Sequence, residues 1–353
     1  MHKIDVDTAW DNFCDGIDIT PTAPIPDSNE DTTIAPKCTD IYISTKTKIG
    51  YLNTPINLSE VFWKIPVMPY HSQHEGVVKK QMKFNSLCQE DLDKITDKVT
   101  NYDYVDEFVI TRIINPEGRI KFKDVRKVSI GLCKKDITSY RCKKKSAFYN
   151  CFVVILRLLN NNVYKEIHVK VFNTGKLEIP GIQTDEILSQ VLELLTKTLS
   201  PFVHSENPLA YSQKSETVLI NSNFNCGYFI DREKLYDIMK YGYKINSAYD
   251  PCSYPGIQCE FYHDRKLETQ TGRHPSSEHD GEGIVKVSFM IFRTGSILIV
   301  GKCTDEILNE IYIFIKNMLG NEYKNVGGKR VLAQNMVTQK KKRKIRKKII
   351  IIQ

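Results

Sequence analysis

With 353 residues, 41% of them hydrophobic and 26% charged, the chain has material for one large or two small globular domains with real cores. The run IIII at 349–352 is far short of the roughly 20 apolar residues a bilayer demands. The opening MHKIDVDTAW is acidic where a signal peptide needs an apolar stretch, so neither a membrane span nor export is expected. The net charge of +8 is unevenly spread: residues 1–38 carry eight acids against Lys3 and Lys37, whereas KKKRKIRKK at 340–348 carries eight bases. Ten cysteines include no CxxC pair, which predicts free thiols and no zinc or redox dithiol.

In chain order, residues 1–38, with PTAPIPDSNED at their centre, read as a disordered acidic tail. A strand is predicted in ISTKTKIGYL (43–52) and a helix in LSEVFWKI (58–65). Between about 70 and 146 the hairpin DEFVITRIINPEGRIKFKDVRKVSIGL turns at NPEG. CFVVILRL (151–158) and EIHVKVF (166–172) follow as strands. The turn NTGK and the returning strand LEIPG come next, and then a helix capped by Thr184 with the apolar stripe Ile187, Leu188, Val191, Leu192 and Leu195. This set comes back 120 residues later: FNTGKLEIPGIQTDEIL is matched by FRTGSILIVGKCTDEIL, with ten of nineteen residues identical between 170–188 and 290–308. Upstream, ISTKTKIGYL is echoed by INSNFNCGYF (220–229), and LSEVFWKI by REKLYDIM. Two copies at this spacing predict an internally duplicated domain in which copy one holds an insertion of about 57 residues. Copy two has a polar excursion of its own, HDRKLETQTGRHPSSEHDGEG (263–283). The basic run at the C-terminus reads as a solvated tail or a phosphate-binding or nuclear-address segment.

Alternation places Val285, Val287, Phe289 and Ile291 on one face of the sheet and Ser288, Met290 and Phe292 on the other, so both faces are largely apolar. One long and one short helix per repeat are too few to cover both faces. The second face is either an internal packing surface or a ligand surface.

The duplicated hairpins VKVFNTGKLEIPGI and SFMIFRTGSILIVGK, together with YDPCSYPGIQCEF (249–261) and CFVVILRL, resemble the TATA-box-binding protein family, in particular its divergent relatives in large DNA viruses. The resemblance covers roughly 40–68, 147–202 and 217–320. It implies an α+β fold: a two-repeat pseudo-symmetric saddle, with a continuous curved antiparallel sheet, helices on the convex face and an inserted β-rich segment in the first repeat. The boundaries it implies are a tail at 1–38, a first repeat at 39–202 with the insertion at about 70–146, a second repeat at 203–325, and a basic tail at 326–353.

The family lays its concave sheet on the minor groove and drives pairs of Phe between base steps, a mechanism that serves as a general example of DNA kinking. Carried over, Asn221 falls at the family's base-contacting Asn, Phe292 at one wedge and Tyr254 at the other, with Leu298 and Val300 as groove residues. Glu260 stands where the family has a phosphate-contacting Arg. In repeat one, Phe172 and Arg157 match a wedge and a phosphate contact, and Ser44 replaces the second Asn. Cys151 stands at the partner wedge, with Phe148 or Tyr149 as alternatives, while Glu178 and Pro180 interrupt the groove face. A carboxylate there is repelled by the groove's negative potential. GVVKKQMKF (76–84), KFKDVRK (121–127) and RCKKKSAFY (141–149) interleave bases with Phe84, Phe122, Phe148 and Tyr149, a pattern of nucleic-acid or acidic-partner surfaces and equally of a solvated strand face.

The resemblance implies a viral transcription-initiation factor that binds and bends double-stranded DNA, mainly through repeat two and with relaxed TATA specificity. Its partners would be RNA polymerase and a general transcription factor of the factor-B type, without cofactor, metal, membrane or small-molecule substrate. The location implied is intracellular: a host nucleus, a cytoplasmic viral factory or the virion. The alternative is an interaction scaffold of the transcription machinery that has lost minor-groove binding. The half-saddle also accompanies DNA glycosylases, but no helix-hairpin-helix is present, nor is any GxSxG, HExxH, P-loop or GxGxxG, so no enzyme is expected. His71, His74, His274 and His279 lack partners at metal spacing and read as loop histidines.

Overall fold

The computed structural model describes residues 34–138, 148–204, 206–212, 214–275 and 283–328. Most of the acidic tail, the basic tail beyond 328, the segment RCKKKSA and the tip of the second excursion lie outside the described residues. The described chain forms two compact units, an N-terminal one of residues 45–218 and a C-terminal one of 34–44 with 219–328. Both are α+β with antiparallel sheets.

The N-terminal unit contains β1 (Tyr42–Tyr51, from residue 45), α1 (Leu58–Lys64), β2 (Gly76–Ser86), α2 (Gln89–Val99), β3 (Val105–Ile114), β4 (Phe122–Gly131), α3 (Lys134–Thr138), β5 (Cys151–Asn160), β6 (Val163–Phe172), β7 (Lys176–Ile182) and α4 (Asp185–Leu199). Its strands run in the order β1-β7-β6-β5-β2-β4-β3. The inserted segment therefore adds β2, β4 and β3 beyond β5, and β3–β4 is the hairpin expected around NPEG.

The C-terminal unit contains β8 (Glu216–Asn225, from residue 219), β9 (Phe229–Ile230), α5 (Arg232–Asp237) with a π-helical extension (Ile238–Tyr243), β10 (Asn246–Ala248), β11 (Gly256–Asp264), β12 (Ile284–Phe292), β13 (Ser296–Gly301), α6 (Asp305–Asn321), α7 (Tyr323–Val326) and β14 (Gly327–Gly328). Its main sheet runs β10-β11-β12-β13-β8, and β14 pairs with β9.

The two hairpins are built alike for local reasons. In each, a glycine with φ near +80° closes the turn, Gly175 onto the Phe172 carbonyl and Gly295 onto the Phe292 carbonyl, both at 3.0 Å. A Cβ at either would strike a backbone oxygen, that of Thr54 or of Tyr228, so only glycine fits. The hydroxyls of Thr184 and Thr304 accept from the N–H groups of Ile187 and Ile307 and start α4 and α6, with acids in both first turns. The predicted stripes are buried, and α4 packs its own against Phe152, Val154, Val169, Val171, Leu177 and Ile179. In the C-terminal unit the α6 stripe meets Phe224, Phe261, Val287, Phe289, Ile297 and Ile299. Each core thus lies between one sheet face and one long helix, the second helix filling its edge.

The units divide at places other than those read from the sequence. Cys38 is buried in the C-terminal core, the Thr39 N–H donates to the Asn225 carbonyl at 2.8 Å, and the Tyr312 hydroxyl donates to the Thr39 carbonyl at 2.9 Å. Residues before 45 therefore belong with the second copy's fold. Residues 203–218 stay with the N-terminal unit, because Leu209 enters its core and Asn53 exchanges hydrogen bonds with Pro208 and Ala210.

Several bases of the insertion turn inward. Lys80 is fully buried and donates to the Ile65 carbonyl at 2.7 Å, and Phe84 lies in an aromatic group with Phe62 and Trp63. Arg126 is held by buried Asp124 at 2.6 Å and by Glu107 at 2.6 Å, and hydrogen bonding to Asp124 raises its already high pKa. These residues make one face of the added strands part of the core.

Candidate nucleic-acid interface

In the C-terminal unit the sheet face opposite the helices carries a second apolar cluster of Met290, Phe292, Leu298 and Val300, with Leu219 and Tyr254 packed on it. Beside it, β8 presents Asn221 opposite Val300, Asn223 opposite Leu298 and Asn225 opposite Ser296. The Asn223 amide donates to the Ser44 hydroxyl at 2.8 Å. At the strand end the Tyr254 and Phe292 rings lie 5.9 Å apart, tilted by 59°. A turn fixes Tyr254: its N–H donates to the Asp250 carbonyl at 2.9 Å, while the Asp250 carboxylate accepts from the Cys252 N–H and the Ser253 hydroxyl. Phe292 is only 7% exposed and Val300 1%, so this face is shielded rather than open.

Glu260 is not a bare charge at the phosphate position. Burial works against its ionisation, but Lys286 at 2.7 Å, Tyr262 at 2.9 Å and Asn246 at 2.7 Å hold its carboxyl below the usual carboxylate range.

Register shows which residues of the N-terminal unit are equivalent, and it revises three of the assignments made from sequence. Phe172 pairs with Cys151 as Phe292 pairs with Gly256. Tyr254 stands two residues before Gly256, so its counterpart is Tyr149, two before Cys151. Cys151 itself is a buried neutral thiol, pushed up to about 11 by desolvation, and cannot act as a wedge. By the same count the counterpart of Glu260, opposite Ser288, is Ile155, opposite His168. Arg157 lies two residues further on and is 5% exposed. Its guanidinium donates to the carbonyls of Tyr70 at 2.7 Å and Ser72 at 2.9 Å, stacks on the Tyr70 ring and pairs with Glu166, so it is committed to the loop after α1 and is not available to a phosphate.

Ser44 moves as well. The Leu52 N–H donates to Gly175 as the Cys226 N–H does to Gly295, and Asn57 and Asp231 cap the two short helices in the same way. The repeats are therefore aligned three residues away from the match of GYL with GYF, which joins a glycine inside β1 to Gly227, a turn glycine at φ +85°. The counterpart of Asn221 is Thr47, at the irregularity of β1 between Lys46 and Lys48. Ser44 instead supports Asn223.

Glu178 on the N-terminal face is directly opposite Lys170, with a 2.6 Å ion pair that offsets the repulsion expected of it. Three rings line the same region under cations: Phe148 under Lys170, Tyr149 under Lys83 and half-buried Phe172 under Lys176, at 4.5, 3.5 and 5.9 Å. The sequence contained the clue to Tyr149, namely a tyrosine two residues before the start of the strand that partners the hairpin Phe in both repeats. Asn223 and Asn225 were passed over because alternation alone does not give their cross-strand neighbours.

No family model matches the sequence. The chain is 27% identical over 208 residues to a TATA-box-binding protein-like protein of Acanthamoeba polyphaga mimivirus, an alignment covering 54% of this chain and 53% of that protein. The chain is a relative of the TATA-box-binding-protein-like proteins. It spans about half the length of the curated relative it matches. The solved Methanococcus jannaschii TBP aligns with 80% of this chain and 99% of its own at 11% identity and a TM-score of 0.38, a value at which the match does not define a fold. Among the described residues no cluster of His, Cys, Asp and Glu could hold a metal ion, and no helix is long and apolar enough to cross a membrane.

Proposed function

We propose that this TATA-box-binding-protein-like chain is an intracellular DNA-binding transcription-initiation factor. In this reading each unit is one repeat of a saddle that bends A·T-rich duplexes through the minor groove. It helps position RNA polymerase with a factor-B-type partner, and its TATA specificity is relaxed.

One observation carries the proposal: Tyr254 and Phe292 meet at 5.9 Å at a strand end, beside an apolar strip and a row of three asparagines. A minor groove of A·T pairs shows only acceptors, which amide N–H groups can satisfy, while apolar rings enter an unstacked base step. The N-terminal unit supplies the weaker half, since its wedge pair becomes Phe172 and Tyr149 and its groove face carries Glu178 and Pro180. Shielding of Phe292 adds the cost of uncovering it to the cost of kinking.

The test is a fluorescence measurement of DNA bending on A·T-rich and G·C-rich duplexes at two salt concentrations. Bending confined to A·T-rich duplexes is expected, with Phe292→Ala weakening it more than Phe172→Ala. Equal losses would remove the asymmetry between repeats, and no duplex binding at all would remove the proposal. The shielding of Phe292, Leu298 and Val300 favours a second reading, an interaction scaffold of the transcription machinery whose apolar face no longer meets DNA. That reading predicts unchanged partner binding in Phe292→Ala and no bending by the unsubstituted chain.

A further inference from the structure

The inserted segment also reaches across the face of the N-terminal unit that carries Phe172. Phe172 pairs with Cys151, and alternation puts Ile155 of β5 and Glu166 of β6 on the same side of the sheet, away from α4. Lys79 of β2 is opposite Ile155 and lies on that side too. Residues 132–138, which leave β4 and include α3, are attached to this side at three strands. Cys133 is 3% exposed and buried in one cluster with Val78 and Ile155. The Asp136 carboxylate accepts from the Lys79 ammonium with both oxygens, at 2.8 and 2.7 Å. The Lys134 N–H donates to the Glu166 carboxylate at 2.8 Å.

The pair Ile155 and His168 comes four residues along the strands from Cys151 and Phe172, roughly 13 Å from the wedge. Ile155 is the counterpart of Glu260, which is half-buried, yet Ile155 itself is 1% exposed. The flank of this repeat is therefore closed by its own chain at the row where the other repeat is partly open. The closure is thin. None of the five residues of α3 is buried, and so short a helix has no stability without its contacts. Few buried contacts mean a low free energy of local opening. The chemistry of the attachment also suits an exchange: Asp136 offers Lys79 two anionic oxygens, as a phosphate does, and accepts from the Cys133 N–H at 2.9 Å. A phosphate taking the place of Asp136 keeps Lys79 paired, whereas opening without an anion leaves that charge alone.

We propose that residues 132–138 are an autoinhibitory strap over the DNA side of the N-terminal unit, in which Asp136 holds the place of a backbone phosphate on Lys79. A duplex engages this repeat fully only by lifting the strap and exchanging a phosphate for Asp136. This rests on the minor-groove reading above, and it adds a second cause for the weakness of the first repeat, beside Glu178 and Pro180.

Affinity for an A·T-rich duplex is measured by fluorescence anisotropy across a salt series for four proteins: the unsubstituted chain, Asp136→Asn, Lys79→Gln/Asp136→Asn and, as a control for the lost charge, Glu193→Gln on the exposed side of α4. Asp136→Asn removes the competing anion and should tighten binding about tenfold, while Glu193→Gln changes it little. The double variant loosens the strap equally but cannot hold the phosphate, so its slope of log affinity against log salt is lower by about 0.9 than that of Asp136→Asn. Amide hydrogen exchange of the unsubstituted chain reads the strap directly, also where a variant fails to fold. The N–H groups of Cys133, Lys134 and Asp136 are hydrogen-bonded while the strap is closed, and they should lose protection when the duplex binds. Unchanged or greater protection in the bound state overturns the strap and leaves the minor-groove reading standing. An equal gain in Glu193→Gln assigns the effect to net charge and overturns the role of Asp136. Binding by Asp136→Asn but not by the unsubstituted chain supports a strap that closes completely. No duplex binding by any of the four overturns the minor-groove reading and the strap with it.

Discussion

Lys80 and Lys83 lie three residues apart on β2, yet only Lys80 is fully buried, and Lys80→Met tests what that burial costs. Lys80 is fully buried, its ammonium donating to the carbonyls of Ile65 at 2.7 Å and Trp63 at 3.3 Å and lying over the rings of Phe62 and Tyr102. Burial pulls its pKa from 10.5 down to about 8. At 1.36 kcal/mol per unit, keeping this charge below pH 8 costs about 3 kcal/mol. The unfolded chain holds the proton more tightly, so between about pH 8 and 10.5 it binds more protons than the folded one, and the Lys80 contribution to stability rises with pH.

Methionine removes the charge but orphans the Ile65 carbonyl, at a cost of about 1–3 kcal/mol, so near pH 7 the two effects come close to cancelling. The Trp63 carbonyl keeps the Tyr102 hydroxyl as a donor at 2.5 Å. Urea unfolding of both proteins from pH 7 to 10.5 should show wild-type stability, relative to the variant, rising by up to about 3 kcal/mol. The difference between the two proteins matters, because burial pushes Cys133, Cys151 and Cys226 up to about 12, 11 and 12, and these thiols oppose the trend equally in both. A flat difference would refute the account of Lys80.

Arg126→Ala leaves Asp124 buried without its main partner and should cost about 3–5 kcal/mol in chemical denaturation, against under 1 kcal/mol for exposed Arg119→Ala. Thr184→Ala and Thr304→Ala each remove a helix cap and should cost about 1 kcal/mol, additively, since they start different helices in different units. Gly295→Ala places a methyl group against the Tyr228 carbonyl in a left-handed turn and should cost more than 1 kcal/mol, whereas Gly320→Ala, which meets nothing within 4 Å, should be neutral or stabilising. Tyr149→Ala should weaken duplex bending to a degree similar to Phe172→Ala; no effect would separate Tyr149 from the wedge.

The sequence alone determined the elements whose causes are local. A glycine turn, a threonine cap and a 3.6-residue stripe depend on neighbours in the chain, so the hairpins, both long helices and the added β3–β4 hairpin were all legible. So was the duplication, because the two copies retain the same turn and cap chemistry. Equivalence between the copies was another matter. A match of GYL with GYF looks as good on paper as the true one, and only the hydrogen bonds of Leu52 and Cys226 to the turn glycines show that the strands are aligned three residues apart. Tertiary structure likewise decided which of the basic residues are buried: Lys80 and Arg157 share their chemistry with Lys83 but are held inside by carbonyls distant in sequence. Side-chain direction on a strand alternates with every residue, so a bulge or a shift of register sends a charge to the core or to the interface, and cross-strand pairing alone fixes which.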